Sequence, residues 1–181
     1  MEYYNTQDQL NNYFAKTWIP SSESWEKSGL TLLNKIPKQA KIIDVGCGYN
    51  IFKKYFPNLI GIDPANSNAD ILTTIENYQT DQKFDVALCL GSLHFGTREK
   101  VKSQIDKLNV LLKNKSSIYW RCNPGHHDHD DNECLSLKFF PWSFEIMEKW
   151  SNQYKFNIKE MCIEKHALYD RERIYAHWER K

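Results

Sequence analysis

The sequence carries no C-x-x-C pair, no long apolar run and almost no net charge. Its five cysteines (Cys47, Cys89, Cys122, Cys134 and Cys162) are odd in number, and Cys47 and Cys89 sit inside apolar runs. That usage speaks against a disulfide framework and for reduced, mostly buried thiols in a cytoplasmic protein. No stretch approaches the ~18 apolar residues of a membrane span. The N-terminal MEYYNTQDQLNNYF has neither the basic nor the apolar region of a secretory signal. A net charge of +1 excludes a molecule that attracts nucleic acid or anionic lipid as a whole. Repeats and low-complexity linkers are absent. Glycine is scarce, seven residues in 181, so two of them one residue apart in KIIDVGCGYN, residues 41–50, demand a local reason.

Aromatic residues are plentiful, at 14%, beside 41% apolar and 26% charged residues, a globular mix with flat rings to spare. The length favours a single domain over 1–181, with 1–37 as an N-terminal helical lid and 38–181 as the core. Leu10, Tyr13, Phe14 and Trp18 recur at helical spacing over 7–18, and Pro20 ends that segment. A second helix is expected over 21–36, capped by Ser21 or Ser22 and stopped by Pro37. Short apolar runs then follow: KIIDV, LIGID, the shorter ADILTTI, FDVALCL and SSIYWRC. Between the last two, TREKVKSQIDKLNVLLKN is the clearest amphipathic helix, with Val101, Ile105, Leu108, Leu111 and Leu112 along one side. PWSFEIMEKWSNQY reads as a further helix, and KFNIKEMCIEKHAL with RIYAHWER as an antiparallel strand pair. Alternation of strand and helix as far as Cys122 predicts an α/β fold. Its form is a Rossmann-like open, mostly parallel sheet, with helices on both faces and a C-terminal antiparallel strand pair. The ligand of such a sheet sits beyond the carboxyl ends of its strands.

Gly46-Cys47-Gly48 lies at the end of the first run. Glycine permits positive φ and close approach of main chain to a ligand, and a Gly-rich turn opening a helix offers N–H groups to an anion. A nucleotide phosphate loop needs G-x-x-x-x-G-K-[ST]; Gly91 and Gly96 have that spacing, but Thr97-Arg98 follow. A dinucleotide fold asks for G-x-G-x-x-G, and Ile51 stands at its third glycine.

IIDVGCG, LIGIDPAN, NADILT and FDVALCLGSLHF together resemble the successive strand-end motifs of the class I S-adenosylmethionine (SAM)-dependent methyltransferases. The closing strand pair resembles that family's sixth and seventh strands, so the resemblance covers about 38–181. It implies SAM as cofactor and methyl transfer as the reaction. Asp63 would accept the two ribose hydroxyls, and Asp70 the adenine amine, with Ile71 against the base. Gly46, Cys47 and Gly48 would approach the methionine half, Asp44 would orient that loop and face the ammonium, and Leu90 and Gly91 would lie near the amino-acid end. Many members of the family have a third glycine where Asn50 stands; Asn is the non-glycine residue best suited to left-handed geometry. Only six residues separate Asp63 from Asp70, so the usual helix between the second and third strands is nearly absent.

For the chemistry, His94 stands just after the fourth strand and is a candidate general base, against the plainer reading of a rim histidine bonded to main chain. The [DN]-P-P-[YF] motif of DNA amino-methyltransferases is absent there, and Asn123-Pro124-Gly125 reads as a turn. The run HHDHDDNEC, residues 126–134, invites a metal. Asp128, Asp130 and Asn132 match the first ligands of a calcium loop, but Glu133 replaces its glycine and Phe139 its final glutamate. Neither H-E-x-x-H nor zinc spacing exists, so a solvated loop without metal is expected, placed to act as a lid. Trp18, beside Pro20, is the expected lid residue over the cofactor. A small-molecule acceptor suits the near-neutral charge, while the lysine-rich helix over 98–115 leaves RNA or a protein acceptor open. A SAM-binding protein that senses, sequesters or cleaves the cofactor is the rival reading.

Overall fold

The computed structural model describes residues 7–16, 24–127 and 132–181. A seven-stranded sheet runs through it in the order β3-β2-β1-β4-β5-β7-β6. Five strands are parallel: β1 (Ile42–Val45), β2 (Leu59–Asp63), β3 (Ile71–Leu72), β4 (Phe84–Leu90) and β5 (Leu112–Cys122). The last two, β6 (Phe156–Lys165) and β7 (Glu172–Arg180), form a hairpin, and β7 inserts antiparallel between β5 and β6. β1 is buried at every residue and β4 at most of its length, as expected of central parallel strands covered on both faces.

Side-chain alternation sorts the core into two layers. Ile43, Ala87, Cys89, Ile118, Trp120, Ala176 and Trp178 face α2 (Arg98–Leu111) and the helix Phe144–Gln153. The rings of Trp120, Trp142, Trp150 and Trp178 fill that layer; burying each contributes roughly 2 kcal/mol or more. Thr97 caps α2 and Ser143 caps the later helix, each hydroxyl accepting from the N–H three residues on. The opposite layer holds Ile42, Leu88, Tyr119 and Tyr175 under Leu32, Ile36, Phe52 and Phe56.

Three expectations change. Residues 24–36 form turns and a short 3₁₀ stretch, Leu30–Asn34, in place of an α-helix. Tertiary contacts set their path: Trp25 bridges to His166, and Ser28 bonds to Glu164. α2 stops at Leu111, because Leu112 pairs with Phe84 and Lys113 reaches Asp85 at 2.7 Å, which turns the chain into β5 early. The third strand shrinks to two residues at the sheet edge; the crossover from β2 lacks a helix, as its six-residue length implies.

The loop after β4 is sewn to the segment after β5. Gly96 N–H donates to Lys138 C=O at 2.8 Å, Phe140 N–H to His94 C=O at 2.7 Å, and Trp142 Nε1 to Leu93 C=O at 2.9 Å. Over this seam stands α1 (Gln7–Lys16), whose Leu10, Tyr13 and Phe14 pack with Phe95, Cys134, Leu137 and Phe139. Cys134 belongs to α3 (Asn132–Leu135), so the helix over Phe144–Gln153 is α4.

Candidate active site

The Gly46–Asn50 turn opens the site. Gly46, Gly48 and Asn50 all take left-handed backbone, at φ +67°, +53° and +54°. Asn50 therefore adopts the geometry expected of it in place of a glycine. Room for its side chain comes from β2. A Cβ on Gly61 would lie 2.5 Å from Asn50 Oδ1 and 2.8 Å from Cys47 Sγ. The glycine missing from the turn is thus matched by one on the neighbouring strand.

The N–H groups of this turn point inward. Gly46 and Cys47 donate to Ile62 C=O at 2.8 and 3.1 Å, and Gly48 donates to Asp63 Oδ2 at 3.0 Å. Such a turn offers no N–H array to a phosphate, which removes the anion-cradle alternative. On its far side the turn presses on the loop after β4, where a Cβ on Gly46 would strike Ser92 Cβ. Ser92 Oγ is itself buried with no hydrogen-bond partner among the described residues.

Asp63 ends β2 and is buried. Besides Gly48, its carboxylate accepts Ala65 N–H at 2.8 Å and Asn66 N–H at 2.9 Å. Three of about four acceptor positions are thereby filled, leaving room for one further donor where two hydroxyls were expected. Asp44, one residue before the end of β1, lies toward the same edge and is 4% exposed. Burial pushes its carboxyl up to about 7; Arg121 opposes the shift and the Asp63 charge adds to it. The Cys47 thiol is pushed well up by burial and by the nearby carboxylates, so it stays protonated and is no nucleophile.

Asp70, expected at the adenine amine, stands just before β3 with its carboxylate bonded within the protein. Oδ2 accepts Gly61 N–H at 2.8 Å, Lys53 Nζ at 3.0 Å and Asn50 Nδ2 at 3.4 Å, and Oδ1 pairs with Lys53. Against the upward push of burial, these partners hold the carboxyl below its usual range. With no helix between β2 and β3, this acid ties the short crossover back to β2 and to the glycine turn. Ile71 beside it is exposed at the rim, as is Leu72.

His94 is 3% exposed, with its ring 4.4 Å from Phe95 and 5.6 Å from Phe139. Its Cε1 lies 3.9 Å from where a Cβ on Gly91 would sit, so imidazole and glycine face each other at the end of β4. Leu90 C=O, the last of that strand, accepts Arg121 Nη2 at 2.8 Å. Neither Arg121 nor the neighbouring buried Arg173 has a sequence signal of its own; the sheet brings both to this edge. Trp18 and residues 128–131 lie outside the described residues. Tyr13 and Phe14 make the lid contacts that are described, and His126 and His127 are exposed. Among the described residues no three His, Cys, Asp or Glu side chains gather as a metal site, and no helix is long and apolar enough to cross a membrane.

No protein-family model matches the chain, and no curated protein does. Solved structures do. The 1,6-didemethyltoxoflavin-N1-methyltransferase of Burkholderia thailandensis, with 1,6-didemethyltoxoflavin and S-adenosylhomocysteine bound, aligns with a TM-score of 0.76 at 12% identity, over 96% of this chain and 88% of that one. Magnesium protoporphyrin IX methyltransferase (ChlM) of Synechocystis PCC 6803 with bound SAM gives 0.66 at 11% identity, over 98% and 99%. The N-methyltransferase NodS of Bradyrhizobium japonicum WM9 with S-adenosylhomocysteine gives 0.61 at 12% identity, over 96% and 87%. The chain has the fold of the class I SAM-dependent methyltransferases.

Proposed function

We propose that the protein is a SAM-dependent methyltransferase acting on a small-molecule acceptor. One observation carries the reading: the left-handed Gly46–Asn50 turn has its N–H groups bonded inward to Ile62 and Asp63. Such a turn receives a ligand through bare main chain rather than through phosphate. The residues present fit SAM. Ser92 Oγ, beside the turn, is a buried hydroxyl without a partner among the described residues. Asp44 is a buried acid suited to an ammonium, Asp63 has room for one ribose hydroxyl, and Ile71 is an exposed apolar side chain where a base would rest. The neighbouring folds hold SAM or S-adenosylhomocysteine in structures of enzymes that methylate.

When bound, SAM supplies a methyl group activated by its sulfonium. The remaining work falls to the chain. The main chain of Leu90 and Gly91 sets where the amino-acid end stops. His94, Phe95 and Phe139 form an aromatic rim beside it, suited to a flat acceptor held in line with the methyl. Tyr13 and Phe14 of α1 close over this rim and exclude water. Where the acceptor loses a proton, an imidazole nitrogen of His94 takes it, a role worth about 10²–10⁴ in rate.

Incubation with SAM and fractionated cell extract, followed by mass spectrometry, tests the reading. The expected result is S-adenosylhomocysteine formed in step with a product one methyl heavier. Tight binding of S-adenosylhomocysteine with no turnover of any fraction favours a sensor or sequestering protein instead.

A further inference from the structure

Buried charge runs across the carboxyl edge of the sheet, on the face covered by residues 24–36. Asp44 on β1, Arg121 on β5, Arg173 on β7 and Glu164 on β6 all lie at most 8% exposed. Glu164 anchors the row: its carboxylate accepts Lys27 N–H at 2.9 Å, Ser28 N–H at 3.0 Å and the Ser28 hydroxyl. Ser28 Oγ in turn accepts Arg121 Nη1 at 3.3 Å. The Trp25 ring lies 5.2 Å from Arg121 Cζ and 5.7 Å from Arg173 Cζ. With Nη2 on Leu90 C=O, the Arg121 guanidinium is fixed from three directions.

Its orientation is specific. Nη2 and Nε lie 3.8 and 3.9 Å from the point where a side chain on Gly91 would begin, and His94 Cε1 is 3.9 Å from the same point. The Nε–Nη2 edge of the guanidinium, the one that binds a carboxylate bidentately, therefore faces Gly91. β1 and β5 flank β4, two strand spacings or about 10 Å apart. Arg121 shortens that gap by reaching the end of β4. A negative group on one side of Leu90 and a positive one on the other match the two charges of an α-amino acid.

We propose that Arg121 recognises the α-carboxylate of the cofactor's amino-acid half, while Asp44 takes its ammonium; the inference rests on the SAM reading above. Ser28 and Glu164 are positioning residues for the guanidinium. Calorimetry with S-adenosylhomocysteine, its decarboxylated analogue and 5′-methylthioadenosine, on the native protein and on Arg121→Met, tests it. The native protein is expected to prefer S-adenosylhomocysteine over the decarboxylated analogue by about 10- to 100-fold, the range of a charge-assisted bond. Arg121→Met abolishes that preference and leaves methylthioadenosine binding unchanged. Ser28→Ala removes the hydroxyl that accepts from Nη1 and donates to Glu164, leaves the Nη2 contact to Leu90 C=O in place, and keeps the test open if the methionine variant fails to fold; it narrows the preference by about threefold or more. Equal affinity of the native protein for both amino-acid ligands overturns the assignment, as does an equal loss for both in Arg121→Met, or an unchanged preference in both variants. Failure of the SAM reading itself looks different: neither S-adenosylhomocysteine nor methylthioadenosine binds.

Discussion

Asp44 turns the cofactor reading into a prediction about protons. Burial raises its carboxyl from an ordinary 3.8 to about 7, with Arg121 opposing and Asp63 reinforcing the shift. Between those values the folded protein holds a proton that the unfolded chain has lost, so this group makes stability fall as pH rises through the window. About three units at 1.36 kcal/mol each is roughly 4 kcal/mol, an order of magnitude for the free protein at pH 8. Asp44→Asn removes the penalty. The variant should melt above the native protein at pH 8, with the difference vanishing near pH 4. A bound ammonium stabilises the carboxylate and expels the proton. Binding of S-adenosylhomocysteine should then release about 0.9 proton at pH 6, about 0.5 at pH 7 and about 0.1 at pH 8. Its affinity should climb up to about tenfold per unit toward pH 7 and then level. Titration calorimetry in buffers of different ionisation enthalpy reads the proton number directly. Affinity that is flat from pH 5.5 to 8 with no proton released refutes the reasoning, as does an Asp44→Asn variant that melts below the native protein at pH 8.

Other substitutions separate the parts of the site. Gly61→Ala drives a methyl into Asn50 and Cys47; it should cost about 1–3 kcal/mol in a denaturant titration and weaken S-adenosylhomocysteine binding, because the turn must shift. Asp70→Ala removes the acceptor of Gly61 N–H and the partner of Lys53. It should cost about 1–3 kcal/mol of stability, and a loss of adenosine affinity with stability intact would support the direct role at the adenine amine instead. His94→Gln should lower kcat by about 10²–10⁴ for an acceptor that gives up a proton, with S-adenosylhomocysteine affinity nearly unchanged. An equal loss in both would make His94 a wall of the cofactor cleft rather than a base.

What could be read in the chain was local. IIDV, LIGID and FDVALCL announce buried strands because β-branched and apolar runs have few other uses, and the acids Asp44 and Asp63, at or next to the ends of the first two, fall toward the sheet's carboxyl edge. Asn50 was legible as a left-handed residue for the same reason, since its preference is intrinsic. Residues 24–36 were not. Their serines and leucines read as a capped helix, but Trp25 and Ser28 answer to His166 and Glu164, more than 130 positions away, and long-range contacts override a weak local propensity. Leu112 continued a helical stripe in sequence, yet its pairing with Phe84 places it in β5. Asp70 looked like a ligand because it follows a strand-end pattern; that Lys53 and Gly61 would claim it depends on how tightly the short crossover folds back. Arg121, Arg173 and Glu164 lie on three strands, and only sheet order makes them neighbours.

The central claim is that the turn after β1 and the acid after β2 cradle a sulfonium nucleoside. A crystal structure with S-adenosylhomocysteine tests it most directly. The amino-acid half should lie between the Gly46–Gly48 turn and Leu90–Gly91, with a ribose hydroxyl on Asp63 and the base over Ile71. An empty cleft at saturating ligand, or the nucleoside seated on another edge of the sheet, would contradict the account.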